Sequence, residues 1–119
     1  MAEILVLDDI FDAANLVKRI ANRMGHNAHA FTNPKEAINH VSDNNVDLAI
    51  LDMMLPDTTG IEVLEELKQL QPNIRAIMLT GYPTLETARA SKELGALDYC
   101  VKPIDKAELE EKITLSLDN

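Results

Sequence analysis

The sequence predicts a doubly wound α/β fold, five parallel strands in the order 2-1-3-4-5 with helices on both faces of the sheet. Three observations predict it. Short apolar runs recur at residues 4–7, 28–31, 48–51, 76–79 and 97–101, each bounded by polar residues, as strands buried on both faces are. The segments between them carry apolar residues at helical spacing. Four of the five runs are followed at once by a carboxylate, hydroxyl or lysine, whereas the second ends at Thr32 with no ionisable group. That pattern fits a second strand lying away from the centre of the sheet.

Taken in order, the first run leads into a helix whose stripe is Ala13, Leu16, Val17, Ile20, Ala21 and Met24, closed by Gly25. After the second run, Asn33-Pro34-Lys35-Glu36 reads as an N-cap, a proline at the first helical position and an acid in the first turn. The third run is followed by Thr59-x-x-Glu62, the form of a capping box, and by a stripe of Ile61, Leu64, Leu67 and Leu70. Residues 84–94 form a weaker helix with a thin stripe of Leu85, Ala88 and Leu94. The last helix opens at Asp105-x-x-Glu108, a close variant of the box, and its stripe is Leu109, Ile113 and Leu117.

The 119 residues suit one domain, 1–119, with 46% apolar and 26% charged residues. Twenty Asp+Glu against 11 Lys+Arg give a formal charge of −9, which disfavours direct binding of nucleic acid or an anionic membrane. No apolar run is long enough to span a bilayer, the start is acidic where a signal peptide is basic, and Cys100 is a single cysteine. A reduced, cytoplasmic chain is expected.

The chemistry lies where the strands end. Asp8-Asp9 follow the first run, Asp52 the third, Thr80-Gly81 the fourth and Lys102-Pro103 the fifth. In an open parallel sheet these ends share one edge, so three carboxylates, a hydroxyl and a lysine should converge. Three carboxylates repel each other, and a hard divalent cation such as Mg²⁺ relieves the conflict while keeping positions for water and phosphate oxygens. With Lys102 as a positive charge and Thr80 as a donor, the set suits phosphoryl transfer, one carboxylate acting as nucleophile to give an acyl phosphate.

At this point the chain resembles the receiver domains of two-component response regulators. The resemblance rests on Asp8-Asp9, on Leu51-Asp52-Met53-Met54-Leu55-Pro56-Asp57 with Gly60, on Thr80-Gly81, and on Gly95-Ala96-Leu97-Asp98-Tyr99-Cys100-Val101-Lys102-Pro103, and it covers the whole chain. It implies a flavodoxin-like (βα)5 fold and a phosphorelay function. Asp52 is then the phosphoacceptor, charged by a histidine kinase or a histidine phosphotransfer protein. Asp9 and Asp52 would bind Mg²⁺ directly, Asp8 mainly through water, and the Met54 backbone carbonyl would add a ligand. Lys102 would pair with the acids and then with the phosphoryl group, and Pro103 would follow a cis peptide bond. Thr80 would bond a phosphoryl oxygen and Tyr99 would follow it inward, changing the face of the fourth helix, fifth strand and fifth helix. An output domain or downstream protein would read that face, with a phosphorylation-dependent dimer as one form. Residues 95–105 are similar to receivers of the nitrogen-regulation type, which precede ATPase and DNA-binding domains. The sequence leaves open whether the receiver stands alone or heads a longer regulator.

Plainer readings are weighed beside these. Asp8-Asp9 could cap a helix, although one cap needs no second acid. Asp52 could merely start a loop, Lys102 could be a surface lysine, and Tyr99 a half-buried packing residue. His26, His29 and His40 match no ligand spacing, and Cys100 reads as inert core. Met53 and Met54 read as packing and loop residues, and Glu108, Glu110 and Glu111 as a solvated face. Ile10-Phe11 would join a docking surface if exposed, or else one of them packs under the helix start. Met54 and Tyr82, which flank the path of a hydrolytic water, lack a carboxamide or carboxylate to orient it, so a long-lived phosphate is expected. Two rival functions remain. A haloacid dehalogenase-like phosphohydrolase carries Asp-x-Asp, yet no acid lies two residues after Asp8 or Asp52. A non-phosphorylated interaction module usually loses an acid or the lysine, and here all are kept.

Overall fold

The computed structural model describes residues 1–118. Its elements alternate: β1 (Glu3–Leu7), α1 (Phe11–Arg23), β2 (Asn27–Phe31), α2 (Pro34–Asp43), β3 (Leu48–Asp52), α3 (Gly60–Leu70), β4 (Arg75–Thr80), α4 (Leu85–Glu93), β5 (Asp98–Val101) and α5 (Lys106–Leu117). All four strand pairings are parallel, and the sheet order is β2-β1-β3-β4-β5, as the sequence predicts. β3 and β4 run one residue further than their apolar runs, so Asp52 and Thr80 are the last residues of strands rather than the first of loops.

Alternation along each strand divides the core into two layers. Leu5, Leu7, Ala49, Leu51, Ala76 and Met78 face α2 and α3. Ile4, Val6, Leu48, Ile50, Ile77 and Leu79 face α1 and α5. Both faces of β1, β3 and β4 are therefore dry, which is why their sequences read as unbroken apolar runs.

The helix stripes differ from the sequence in informative ways. α1 buries Ala14, Val17, Ile20 and Ala21, while Leu16 stays exposed. α3 buries Gly60, Val63, Leu64 and Leu67, and Leu70 is left out because the helix stops there. In α4 only part of the expected stripe forms: Leu85 is 72% exposed, Ala88 is half-buried and Ser91 is the one helical residue buried. Apolar filling comes from Leu94, the last residue of the expected stripe, and from Ala96, both beyond the helix end.

Caps follow the same split. Asn33 caps α2 as expected, accepting from the N–H groups of Lys35 and Glu36. Thr59 accepts from the Glu62 N–H, but the Glu62 carboxylate turns to the Thr58 hydroxyl, so only half of the box forms. Asp105 makes no side-chain cap, and the Glu108 carboxylate that would form the other half of the box turns to Lys112 and the Cys100 thiol. Cys100 is fully buried, as expected of core. A true box forms at α4, where Thr84 and Thr87 cap each other.

Candidate functional site

Each strand end delivers its residue to the same edge of the sheet. Asp8 follows β1 and is 1% exposed, while Asp9 beside it is open to solvent. One Asp8 oxygen accepts the Ile10 N–H at 3.0 Å and the other accepts from Lys102 Nζ at 2.8 Å. Asp52 ends β3 and is 5% exposed. Its Oδ1 lies 3.4 Å from the same Nζ and accepts the Met54 N–H at 3.5 Å. One carboxylate oxygen from each of Asp8, Asp9 and Asp52 falls within 4.8 Å of the others. The convergence read from the strand ends is therefore real.

The electrostatics follow from this crowding. Burial, reinforced by the Asp8 charge and opposed by Lys102, pushes the Asp52 carboxyl up to about 6. Burial also works against the charge on Lys102, but the hydrogen bond and charge of Asp8, with Asp52 behind them, outweigh it and hold its pKa above the usual lysine value. One ammonium thus serves two buried acids and leaves the cluster with surplus negative charge. Three hard oxygen donors around that surplus suit Mg²⁺.

Thr80, at the end of β4, is 1% exposed, and its carbonyl accepts the Lys102 N–H at 2.7 Å. Its hydroxyl oxygen accepts the Tyr82 N–H at 3.0 Å, which leaves the hydroxyl proton for another acceptor. The Lys102–Pro103 bond is cis, as the resemblance implies. Tyr99 is half-buried on β5, and its hydroxyl is 2.8 Å from Thr87 Oγ1 of α4. Met54 is 58% exposed and bridges to Thr59 across a tight loop. Ile10 and Phe11 are both exposed, so neither packs under the start of α1.

One participant, Thr87, escapes a reading of the sequence, and Gly60, quoted there only as part of a motif, gains a physical reason. Thr87 anchors Tyr99, and the only trace of it is the Thr84-x-x-Thr87 spacing of a weak capping box. Gly60 opens α3 directly over the end of β3, where a Cβ would collide with the Asp52 carbonyl oxygen and with Met78 Cε. Its N–H bonds the Met53 carbonyl at 2.9 Å, which fixes the loop that follows Asp52.

Fold and site together define a class: a doubly wound α/β protein that gathers buried aspartates and one lysine at the carboxyl edge of its sheet. The family model described as response regulator receiver domain matches residues 4–114. Sporulation initiation phosphotransferase F of Bacillus subtilis (strain 168) is 35% identical over 111 residues, covering 93% of this chain and 90% of that protein. Transcriptional regulatory protein ZraR of Escherichia coli (strain K12) is 30% identical over 97% of this chain, which spans only 26% of that longer protein. Among solved structures, a CheY-like response regulator receiver domain protein from Methanospirillum hungatei JF-1 superposes with a TM-score of 0.93 at 33% identity, covering 99% of this chain and 94% of its own. The chain belongs to the response regulator receiver domain family of two-component systems. Receiver domains are signalling modules that work with histidine kinases and output domains, and the family binds Mg²⁺ at an acidic cluster of this kind. No helix among the described residues is long and apolar enough to cross a membrane.

Proposed function

We propose that this receiver takes a phosphoryl group onto Asp52 from a histidine kinase or histidine phosphotransfer protein. The observation that carries the reading is the buried Asp52 carboxylate, set between Asp8, Asp9 and the shared ammonium of Lys102. In this reading Asp9, Asp52 and the Met54 carbonyl hold Mg²⁺, with Asp8 reaching it through water. The bound ion supplies charge neutralisation for the incoming phosphoryl oxygens.

An Asp52 carboxylate oxygen forms the new bond to phosphorus as the bond from phosphorus to the donor imidazole nitrogen breaks. The imidazole leaves with its electron pair, and an acyl phosphate remains. Lys102 stands 2.8 Å from Asp8 and 3.4 Å from Asp52, close enough to shift toward the added charge without leaving the pocket. The Thr80 hydroxyl donates to a phosphoryl oxygen. Tyr99 then gives up Thr87 and follows inward, which loosens the start of α4 and alters the face formed by α4, β5 and α5. Exposed Ile10 and Phe11, beside the acids, seat the donor protein.

Intact mass after incubation with Mg²⁺ and a small acyl phosphate tests the acceptor. One added phosphoryl group in the wild type, and none in Asp52→Asn, is the expected result. A gain in both would place the acceptor elsewhere. Catalytic release of phosphate from a small phosphomonoester would turn the reading toward a phosphohydrolase.

A further inference from the structure

We infer that His29 and His40, with the Glu3 carboxylate, form a site for a divalent transition-metal ion such as Zn²⁺, apart from the aspartate cluster. Their spacing along the chain matches no ligand pattern, because the two histidines come from different elements, β2 and α2. Alternation on β2 turns His29 and Phe31 toward α2, while Ala28 and Ala30 face the other layer. In β1, Glu3 shares the face of Leu5, the residue that pairs with His29. On α2, His40 stands beside buried Val41 and one turn after buried Ala37, which brings its ring against the edge strand.

The two imidazole rings lie 5.0 Å apart between centres and 47° from parallel. Two imidazoles on one tetrahedral ion, with metal–nitrogen bonds of about 2.0–2.1 Å, also hold their centres about 5 Å apart. Glu3 Oε1 lies 3.8 Å from His29 Nε2, slightly beyond the separation of about 3.4 Å that two donors keep on such an ion. Asn27 holds that carboxylate by both oxygens, at 2.9 and 3.1 Å. Among the described residues, the ring nitrogens of His29 have no hydrogen-bond partner. Burial, and after it His29, hold the His40 imidazole below the usual histidine value, against the pull of Glu3 and Asp43. It is therefore neutral at pH 7, the form that ligates a metal.

Asn44 Nδ2 stands 3.3 Å from His40 Nδ1. Asn44 is exposed, and half a turn of its amide offers Oδ1 to an Nδ1–H in exchange for its 3.0 Å bond to the His40 carbonyl. That outer contact frees Nε2 for the ion. Among the described residues, only Asp8, Asp9 and Asp52 bring three donors together without movement, so the histidine site closes as it binds. Nitrogen donors favour Zn²⁺, whereas Mg²⁺ keeps to oxygen, so excess Mg²⁺ holds the aspartates and leaves the histidines to Zn²⁺.

The inference does not rest on phosphorylation. Its test titrates the whole chain with Zn²⁺ by calorimetry near neutral pH, with Mg²⁺ at about 10 mM filling the aspartate cluster. One Zn²⁺ per chain should bind. His29→Gln and His40→Gln should each lower the affinity at least about tenfold, and His26→Gln should leave it unchanged. In the unaltered protein, Zn²⁺ should shift the imidazole NMR signals of His29 and His40 together, a readout that the folding of no variant can disturb. The signal of His26, whose Nδ1 accepts the Ala2 N–H at 3.1 Å, should stay in place. No binding, equal affinity in all three histidine variants, a loss only in Asp9→Asn, or a shift of one imidazole alone would overturn the proposal. So would displacement of Zn²⁺ by further Mg²⁺, since the ion would then sit among the aspartates.

Discussion

Helices α1 and α4 meet the sheet in opposite ways. α1 sinks Ala14, Val17, Ile20 and Ala21 into one core layer. α4 sinks only Ser91 and leaves Leu85 in solvent. Burying Val17 and Ile20 is worth roughly 3–6 kcal/mol together. α4 is held instead by hydroxyls: Thr84 and Thr87 cap one another, Ser91 donates to the Thr87 carbonyl, and Tyr99 reaches Thr87 from β5. Such bonds net roughly 1 kcal/mol each and are easily exchanged for water. The helix that follows the fixed acids is therefore anchored by area, and the helix that follows Thr80 by a few polar contacts. On the proposed reading, a site built on the first and read out through the second needs little energy to signal.

The comparison can be broken most forcefully at the charge centre. Lys102→Met leaves Asp8 and Asp52 buried without their cation. It should cost about 3 kcal/mol in chemical denaturation at pH 8, and less in acid as one carboxylate takes a proton. Full stability at pH 8 would mean that the anchor end is not electrostatically fixed.

Ile20→Ala in α1 should cost about 2–4 kcal/mol of global stability, against under about 0.5 kcal/mol for Leu85→Ala in α4. Equal losses in paired urea titrations would erase the difference between the helices.

The pH profile sharpens the same contrast. Asp52 has a raised folded pKa of about 6, so it favours the fold below its unfolded value and loses that contribution as pH rises through about 6. In metal-free buffer, Asp52→Asn should flatten the fall in stability between about pH 4 and 6 and be the more stable protein above it. Parallel profiles for the two proteins would remove Asp52 as the source.

Sequence was a good guide wherever burial wrote the pattern. The five strands, the two closed faces and the convergence of Asp8, Asp52, Thr80 and Lys102 all follow from dry strands ending at one edge. It was a poor guide where polar contacts decide. Leu85 looks like an anchor only if α4 has an apolar face, and the local competition of Glu62 and Glu108 for a hydroxyl or a lysine cannot be seen from spacing. Thr87 carries no chemistry of its own and gains its place only through Tyr99.

Two smaller effects complete the series. In Met54→Asn, a carboxamide at the exposed loop should orient water and shorten the life of the phosphorylated form severalfold, measured by decay of intact mass. An unchanged decay would reject the water-path reading. Tyr99→Phe removes one hydroxyl contact and should cost about 1 kcal/mol, confined to α4. Hydrogen exchange should quicken at α4 amides and stay as it was in α1, and uniform quickening would show the two helices to be one cooperative unit.

The ion pair of Lys102 with Asp8 joins residues 94 apart in the chain, the first strand to the last. Until β5 docks beside β4, the acids at the ends of β1 and β3 have no lysine to share. Pairing at such separation carries the entropy cost of closing nearly the whole chain. On the proposed reading the acceptor is complete only with β5 in place, and a copy without it presents an uncompensated acid cluster. Readiness to take a signal is in this way a certificate of native structure.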